Sequence, residues 1–397
     1  MNQKAKDEFL LYCVGMKAYE MEASELEQLS PYDWNEIIQQ SERHRITPLL
    51  YRRLSLVGLD ALIPAKVKEG LQKINLHSTL RNAQKYNELS KVVNLLKHDN
   101  TPVILLKGIS LADLVYQTIA LRPMTDIDLL VKYKDIQKVD KALLQLGYES
   151  EIVSSLERHE QWMKHVTYVK RLEGADDISS IDIHTRLFEI PDLDPWLKTS
   201  RVNINSIDAL MLGAEDLLLH LCVHLHFNLS RNGESRLLWW HDIAKVLEYY
   251  QNILDWDYIM QAIQKYHIGK PVYHVLRAAS EWFNVDVPAK VLQPTANKDP
   301  AISITDVLHP TVVMNDPEVK QLISSISAVS RIPAVHSRIY YVFRRLIPDR
   351  EFMMDRYSIS RPKLVYLYYP MRLIQGGWTA LKTLYRLPAY IKKRHSF

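Results

Sequence analysis

The sequence predicts an α+β protein: a small mixed sheet with helices, flanked by N- and C-terminal helical regions. Three observations carry this. Apolar residues recur at three- and four-residue spacing over most of residues 1–100 and again over about 205–290, the period of a helix with one buried face. Between them, short apolar runs end in turn residues, as strands do. Glycine is scarce, at 11 of 397 residues, which argues against a loop-rich or repeat-turn architecture. The organisation read from this is a helical region over 1–100, an α/β core over 101–195, a helical subdomain over 196–290 that closes a cleft, and a C-terminal helical region over 291–397.

In the first region LLYCVGM and DWNEIIQQSERHRITPLLYRRL are amphipathic, punctuated by Pro48 and Pro64. Val67 to His98 reads as one or two long helices, with Leu71, Ile74, Leu80, Leu89, Val92, Val93, Leu95 and Leu96 on the apolar side. This region is assigned packing and no chemistry. The core opens with the strand Val103–Leu106, then a turn Lys107-Gly108-Ile109-Ser110, a helix over 111–117 and a strand over 127–131. Tyr133 to Gly147 is helical and ends at glycine. His165 to Lys170 and Ser180 to Leu187 read as strands.

The chemistry lies at the strand ends. Residues two apart in a strand share a face, so Asp126 and Asp128 project together. Paired carboxylates repel unless a cation lies between them, and oxygen ligands suit Mg²⁺ or Mn²⁺. Gly108 allows close backbone approach, and Ser110 with Asp113 has the spacing of a helix cap, so the turn is a candidate phosphate cradle. In Ile181-Asp182-Ile183-His184 the apolar residues face one way and Asp182 and His184 the other. The plainer reading is a capped helix with two solvated aspartates.

Gly108-x-Ser110, Asp126-x-Asp128 and the later Asp182 resemble the DNA polymerase β-like nucleotidyltransferase superfamily. LLKGISLADLVY, Arg122 ahead of TDIDLLV, IDIHTRL, EDLLLHLCVHLHF and RLLWWHDIAKVL look like its bacterial branch of uncharacterised nucleotidyltransferases. The resemblance covers roughly Asp33 to Tyr250. It implies a polymerase β-like core, and Asp126, Asp128 and Asp182 as metal ligands and catalytic residues. An NMP would pass from an NTP to a hydroxyl, with release of pyrophosphate. Lys107, Gly108, Ser110 and Arg122 would hold the nucleotide. Lys107 reads equally as a solvated strand flank, and Arg122 as half of a loop salt bridge.

Further on, His220 and His224 lie four apart on one helical face. Such a pair can bind zinc, but no third ligand is evident, and polar packing near the cleft is the preferred reading. Arg236 and Asp242 match polar positions of the family pattern. They either touch the nucleotide or form an interhelical ion pair, and the ion pair is preferred. Trp239 and Trp240 read as core. Residues 361–397 hold eight Lys or Arg, no Asp or Glu, and Tyr366, Tyr368, Tyr369, Trp378, Tyr385 and Tyr390. Such a tail fits RNA or an anionic lipid surface, or equally a helix snorkelling over its own core.

Composition bounds the rest. At 47% hydrophobic and 24% charged residues the chain is ordinary for a globular protein, and a net charge of +4 does not by itself imply nucleic acid. Two distant cysteines, Cys13 and Cys222, have no metal-ligand spacing and fit a reducing, cytoplasmic location. No signal peptide and no membrane span are expected. The acceptor is open: a small molecule, an RNA end or a protein. Two other functions stand beside transfer. One is a non-catalytic member of the fold that binds nucleotide or a partner. The other is a helical adaptor whose basic tail docks on nucleic acid or membrane.

Overall fold

The structure, a computed structural model, describes residues 2–16, 26–150, 165–172, 178–232, 235–293, 301–309 and 362–375, with isolated residues between 339 and 359. Among the described residues four helices lead in: α1 (Gln3–Cys13), α2 (Pro31–Arg43), α3 (Thr47–Leu56) and α4 (Ala65–His98). Ser30 starts α2 with a reciprocal capping box to Asp33. The long apolar-periodic stretch is a single 34-residue helix, because no helix-breaking residue follows Pro64.

Strand β1 (Val103–Leu106) runs into α5 (Gly108–Leu114), and β2 (Ile127–Val131) follows. Helix α6 (Ile136–Gln145) ends ahead of Gly147, whose φ of 82° favours glycine. The remaining strands are β3 (Glu149–Ser150), β4 (Val166–Arg171), β5 (Ile178–His184), β6 (Thr199–Ile204) and β7 (Ile207–Leu212). Helices α7 (Ala214–Asn232), α8 (Leu237–Tyr250), α9 (Trp256–Lys265), α10 (Gly269–Phe283) and the short α11 (Ile304–Leu308) follow. The protein is thus mixed α+β, with a seven-stranded sheet in the order β3-β4-β5-β2-β1-β7-β6. Within it β2–β5 and β1–β7 are parallel and the other pairs antiparallel.

Two expectations change here. Helix from about residue 205 gives way at first to the β6–β7 hairpin, whose two-residue turn Asn205-Ser206 takes positive φ at both positions. That is the twist-matched hairpin turn, formed without the glycine that usually signals it. Helix α5 begins at Gly108 rather than 111, with Lys107 at its N-cap. Ser110 therefore does not cap the helix: its hydroxyl donates to the Lys107 carbonyl at 2.9 Å, and Asp113 accepts instead from the Asn205 N–H.

Strand alternation divides the core. Val103, Leu105, Ile127, Leu129, Val131, Ile181 and Ile183 pack with Tyr86, Leu89, Val92 and Leu96 of α4 and with Val139 and Leu143 of α6. Ile104, Leu106 and Leu130 face the opposite way, into the cluster containing Leu217, Leu218, Leu221 and Trp240. Asp128, Asp182 and His184 share that second face by the two-residue period, so the carboxylates look toward α7 and α8, away from α4. No helix among the described residues is long and apolar enough to cross a membrane. Of the basic tail, residues 365–375 are helical, with Tyr366, Leu367 and Ile374 exposed. Trp378, Tyr385, Tyr390 and most of the helical region expected over 291–397 lie outside the described residues.

Candidate functional site

The sheet register decides what can meet. Strands β2 and β5 are parallel and pair Asp128 directly with Asp182. Paired residues on neighbouring strands stand about 4.8 Å apart and project to the same face. Asp126 lies immediately before β2, half-buried, and its Oδ1 accepts from Thr125 Oγ1 at 3.1 Å. Asp182, remote in sequence, thus joins Asp126 and Asp128 at one corner of the sheet.

Asp128 is buried and well satisfied. Its Oδ1 lies 2.9 Å from Lys107 Nζ and 2.8 Å from His184 Nε2. Burial alone would raise its pKa, but Lys107 and His184 hold it well below the usual carboxylate range. Lys107 is held charged in return: burial pushes it down, and Asp128 and then Glu189 more than offset that. A positive φ of 49° at Lys107 turns the chain from β1 into α5 and brings the side chain to this position. Asp182 differs. Thr167 Oγ1 donates to its Oδ1 at 2.7 Å, and His165 Nε2 lies 3.4 Å from its Oδ2. Burial first, and the charge of Asp128 next, push the Asp182 carboxyl up to about 6. A carboxylate raised by its acidic neighbours is one that a cation would relieve.

Gly108 is required by its surroundings. A Cβ there would sit 2.3 Å from Arg122 Nη1 and 3.1 Å from Met124 Cγ. Arg122 is buried, and its Nε and Nη2 donate to Asp242 Oδ1 and Oδ2 at 2.9 and 2.7 Å. Tyr116 Oη also donates to Asp242, at 2.7 Å. Asn82 fixes the loop, donating to the carbonyls of Ile119 and Arg122 and accepting from the Met124 N–H. Arg122 therefore forms a bidentate buried pair and presents Nη1 to the turn. The ion pair expected between Arg236 and Asp242 is made by Arg122 instead, while Arg236 lies over the Trp239 ring at 5.0 Å.

His224 is engaged by Glu189, 3.1 Å from Nδ1, and by Asn228, 3.1 Å from Nε2. His220 is buried beside it without a hydrogen-bond partner on either ring nitrogen, and burial lowers its pKa to about 3. Among the described residues the ligand cluster that forms is not this zinc-type pair but His165, Asp182 and His184, whose ligand atoms all lie within 4.8 Å of one another.

Two residues had no chemistry assigned from sequence. His165 was seen only as the start of a strand. Its register with β5 is a long-range property, and no spacing signals it. Arg45, at the turn between α2 and α3, donates from Nη1 to Thr125 Oγ1 at 3.1 Å. Its pKa is lowered to about 10, first by burial and then by Arg236, with Asp126 acting oppositely and Arg122 and Arg81 adding to the decrease. The neighbouring His44 accepts from the N–H groups of Leu237 and Leu238, which brings the turn against the start of α8. Arg45 and Arg122, far apart in the chain, thus both act electrostatically on Asp126.

Residues 30–284 match the model of a family described as uncharacterised nucleotidyltransferase. Two solved structures are similar. One is the antibiotic-resistance factor ANT(2'')-Ia, 9% identical over 47% of this chain and 93% of its own, with a TM-score of 0.33. The other is an antigenic nucleotidyltransferase-like protein from Paracoccidioides brasiliensis, 14% identical over 48% of this chain and 92% of its own, with a TM-score of 0.31. No curated protein matches the chain.

Proposed function

The chain belongs to the uncharacterised nucleotidyltransferase family, and we propose that it transfers a nucleoside monophosphate from an NTP to an acceptor hydroxyl, releasing pyrophosphate. The observation that carries this reading is the in-register pairing of Asp128 with Asp182, with Asp126 at the entrance to the same strand. The donor set fits Mg²⁺ or Mn²⁺, which are bound by carboxylate oxygens. A divalent cation held by Asp126, Asp128 and Asp182 would supply Lewis-acid charge to the triphosphate and lower the pKa of the attacking hydroxyl.

The chain's own residues do the rest. The turn Lys107–Ser110, with Arg122 Nη1 against Gly108, receives the phosphates. Lys107 stays cationic and limits the repulsion between the carboxylates and the incoming anion. The acceptor oxygen bonds to the α-phosphorus, the bond from that phosphorus to the bridging oxygen breaks, and pyrophosphate leaves with the electron pair. The acceptor's proton passes to Asp182. The acceptor belongs to one of three classes: a small molecule, an RNA end or a protein side chain.

One observation favours a second reading. Lys107 and His184 both bond Asp128 Oδ1, so this carboxylate is already compensated without a cation, as in a non-catalytic nucleotide-binding member. Incubation with α-labelled NTP, Mg²⁺ or Mn²⁺ and fractionated lysate separates the two. Transfer requires label on an acceptor that disappears in Asp182→Asn. Tight NTP binding without label on any fraction establishes the second reading.

A further inference from the structure

We propose that the Asp182 end of the site is a mixed nitrogen–oxygen site for a borderline divalent ion of the Co²⁺ or Zn²⁺ class, held by His165, Asp182 and His184 and filled without nucleotide. It rests on the transfer reading only for its purpose, since the site is argued from these residues alone.

Strands β4 and β5 are antiparallel, with Thr167 opposite Asp182 and Val166 opposite Ile183. One step further, His165 stands opposite His184, and the two rings lie 5.2 Å apart between centroids. The ligand atoms of His165, Asp182 and His184 all fall within 4.8 Å of each other. Metal bonds of about 2.0–2.2 Å to nitrogen and oxygen put ligand atoms on one ion at most about 4.4 Å apart, so small side-chain shifts close the site.

The carboxylate is also aimed. Thr167 Oγ1 takes Asp182 Oδ1 at 2.7 Å, leaving Oδ2 on the side of His165 Nε2, 3.4 Å away. Outer hydrogen bonds of this kind orient ligand carboxylates. Asp128 Oδ1 lies 2.8 Å from His184 Nε2 and brings a second oxygen, the fourth ligand atom, to the group.

Charge selects the position. The Lys107 ammonium sits 2.9 Å from Asp128, so the Asp128 end already holds a cation, and the Asp182 end is where another is least repelled. Ligand type selects the ion. Imidazole nitrogen suits borderline ions such as Co²⁺ and Zn²⁺ far better than Mg²⁺, which keeps to oxygen.

The test is titration of the full chain, stripped with chelator and free of nucleotide, with Co²⁺, read by visible d–d absorption and by calorimetry. The expected result is a saturable spectrum of low-coordinate, nitrogen-bound cobalt that Zn²⁺ displaces and Mg²⁺ does not. His165→Ala and His184→Ala should each weaken Co²⁺ binding by at least about tenfold. Melting temperature in chelator separates loss of the site from loss of the fold. Should His184→Ala fail to fold, the part-exposed His165→Ala carries the test. Co²⁺ affinity and spectrum unchanged in His165→Ala overturn the inference, as does a spectrum of hydrated octahedral cobalt throughout. Mg²⁺-supported transfer at full rate in a His165→Ala protein that binds no Co²⁺ differently would leave the transfer reading standing alone. A nitrogen-bound cobalt site in a protein that labels no acceptor would leave this one standing alone.

Discussion

Asp242→Asn removes the charge that holds Arg122 inside the protein. Asp242 is 1% exposed and Arg122 7%. The wild-type carboxylate accepts two guanidinium bonds, at 2.9 and 2.7 Å, and the Tyr116 hydroxyl at 2.7 Å. The amide keeps one acceptor oxygen and cannot neutralise the guanidinium. Breaking a buried pair from one side costs about 3–5 kcal/mol, and the retained acceptor places Asp242→Asn near the low end, about 3 kcal/mol. Replacing both partners, Arg122→Met with Asp242→Leu, removes the orphaned charge, so the double variant should be less damaged than the sum of the singles by at least about 1.5 kcal/mol. Urea unfolding at constant m-value reads both quantities. Because Arg122 Nη1 lies against Gly108, Asp242→Asn should also reduce the thermal stabilisation given by NTP. An Asp242→Asn cost below about 1 kcal/mol, or strictly additive singles, would refute the reasoning that this pair is buried and coupled.

Gly108→Ala places a methyl carbon against Arg122 Nη1 and should cost about 1–3 kcal/mol by overpacking. The loss should shrink in an Arg122→Ala background, read by the same urea curves. His220 gives a pH prediction: its folded pKa is lowered to about 3, below the unfolded value of about 6.5. Its stabilising contribution is therefore full above about pH 6.5 and lost as pH falls toward 3, with about 2 kcal/mol gone by about pH 5. His220→Leu should flatten that part of the stability–pH curve. Arg45 has a φ of 58°, which Asn tolerates. Arg45 stands beside Asp126 through Thr125, and if it also grips the triphosphate Arg45→Asn should keep the melting temperature and weaken NTP binding by about tenfold, the worth of one charge-assisted hydrogen bond.

The sequence made the strand-turn-helix-strand unit and the IDIH strand legible because alternation is local: two-residue spacing alone tells which side chains share a face. It could not say that Asp128 and Asp182 would be register partners, since pairing between residues 54 apart depends on the whole sheet. The same non-locality hid His165, whose role depends on the β4–β5 register, and Arg45, which reaches Thr125 across 80 residues. The β6–β7 hairpin escaped because Asn205-Ser206 forms its turn without glycine. Gly108 was legible as a special position for an incomplete reason: close approach was expected from a ligand, and the structure puts the Arg122 guanidinium there. Asp242 and Arg122 were each singled out, but only the packing of α8 against the loop before β2 makes them partners.

The most direct test of the account is calorimetric titration of NTP into the chain with and without Mg²⁺ or Mn²⁺, repeated in Asp128→Asn and Asp182→Asn. Binding heat that needs the divalent cation and vanishes in both variants, with their melting temperatures preserved, is the predicted result. NTP binding indifferent to the cation and to both carboxylates would contradict it.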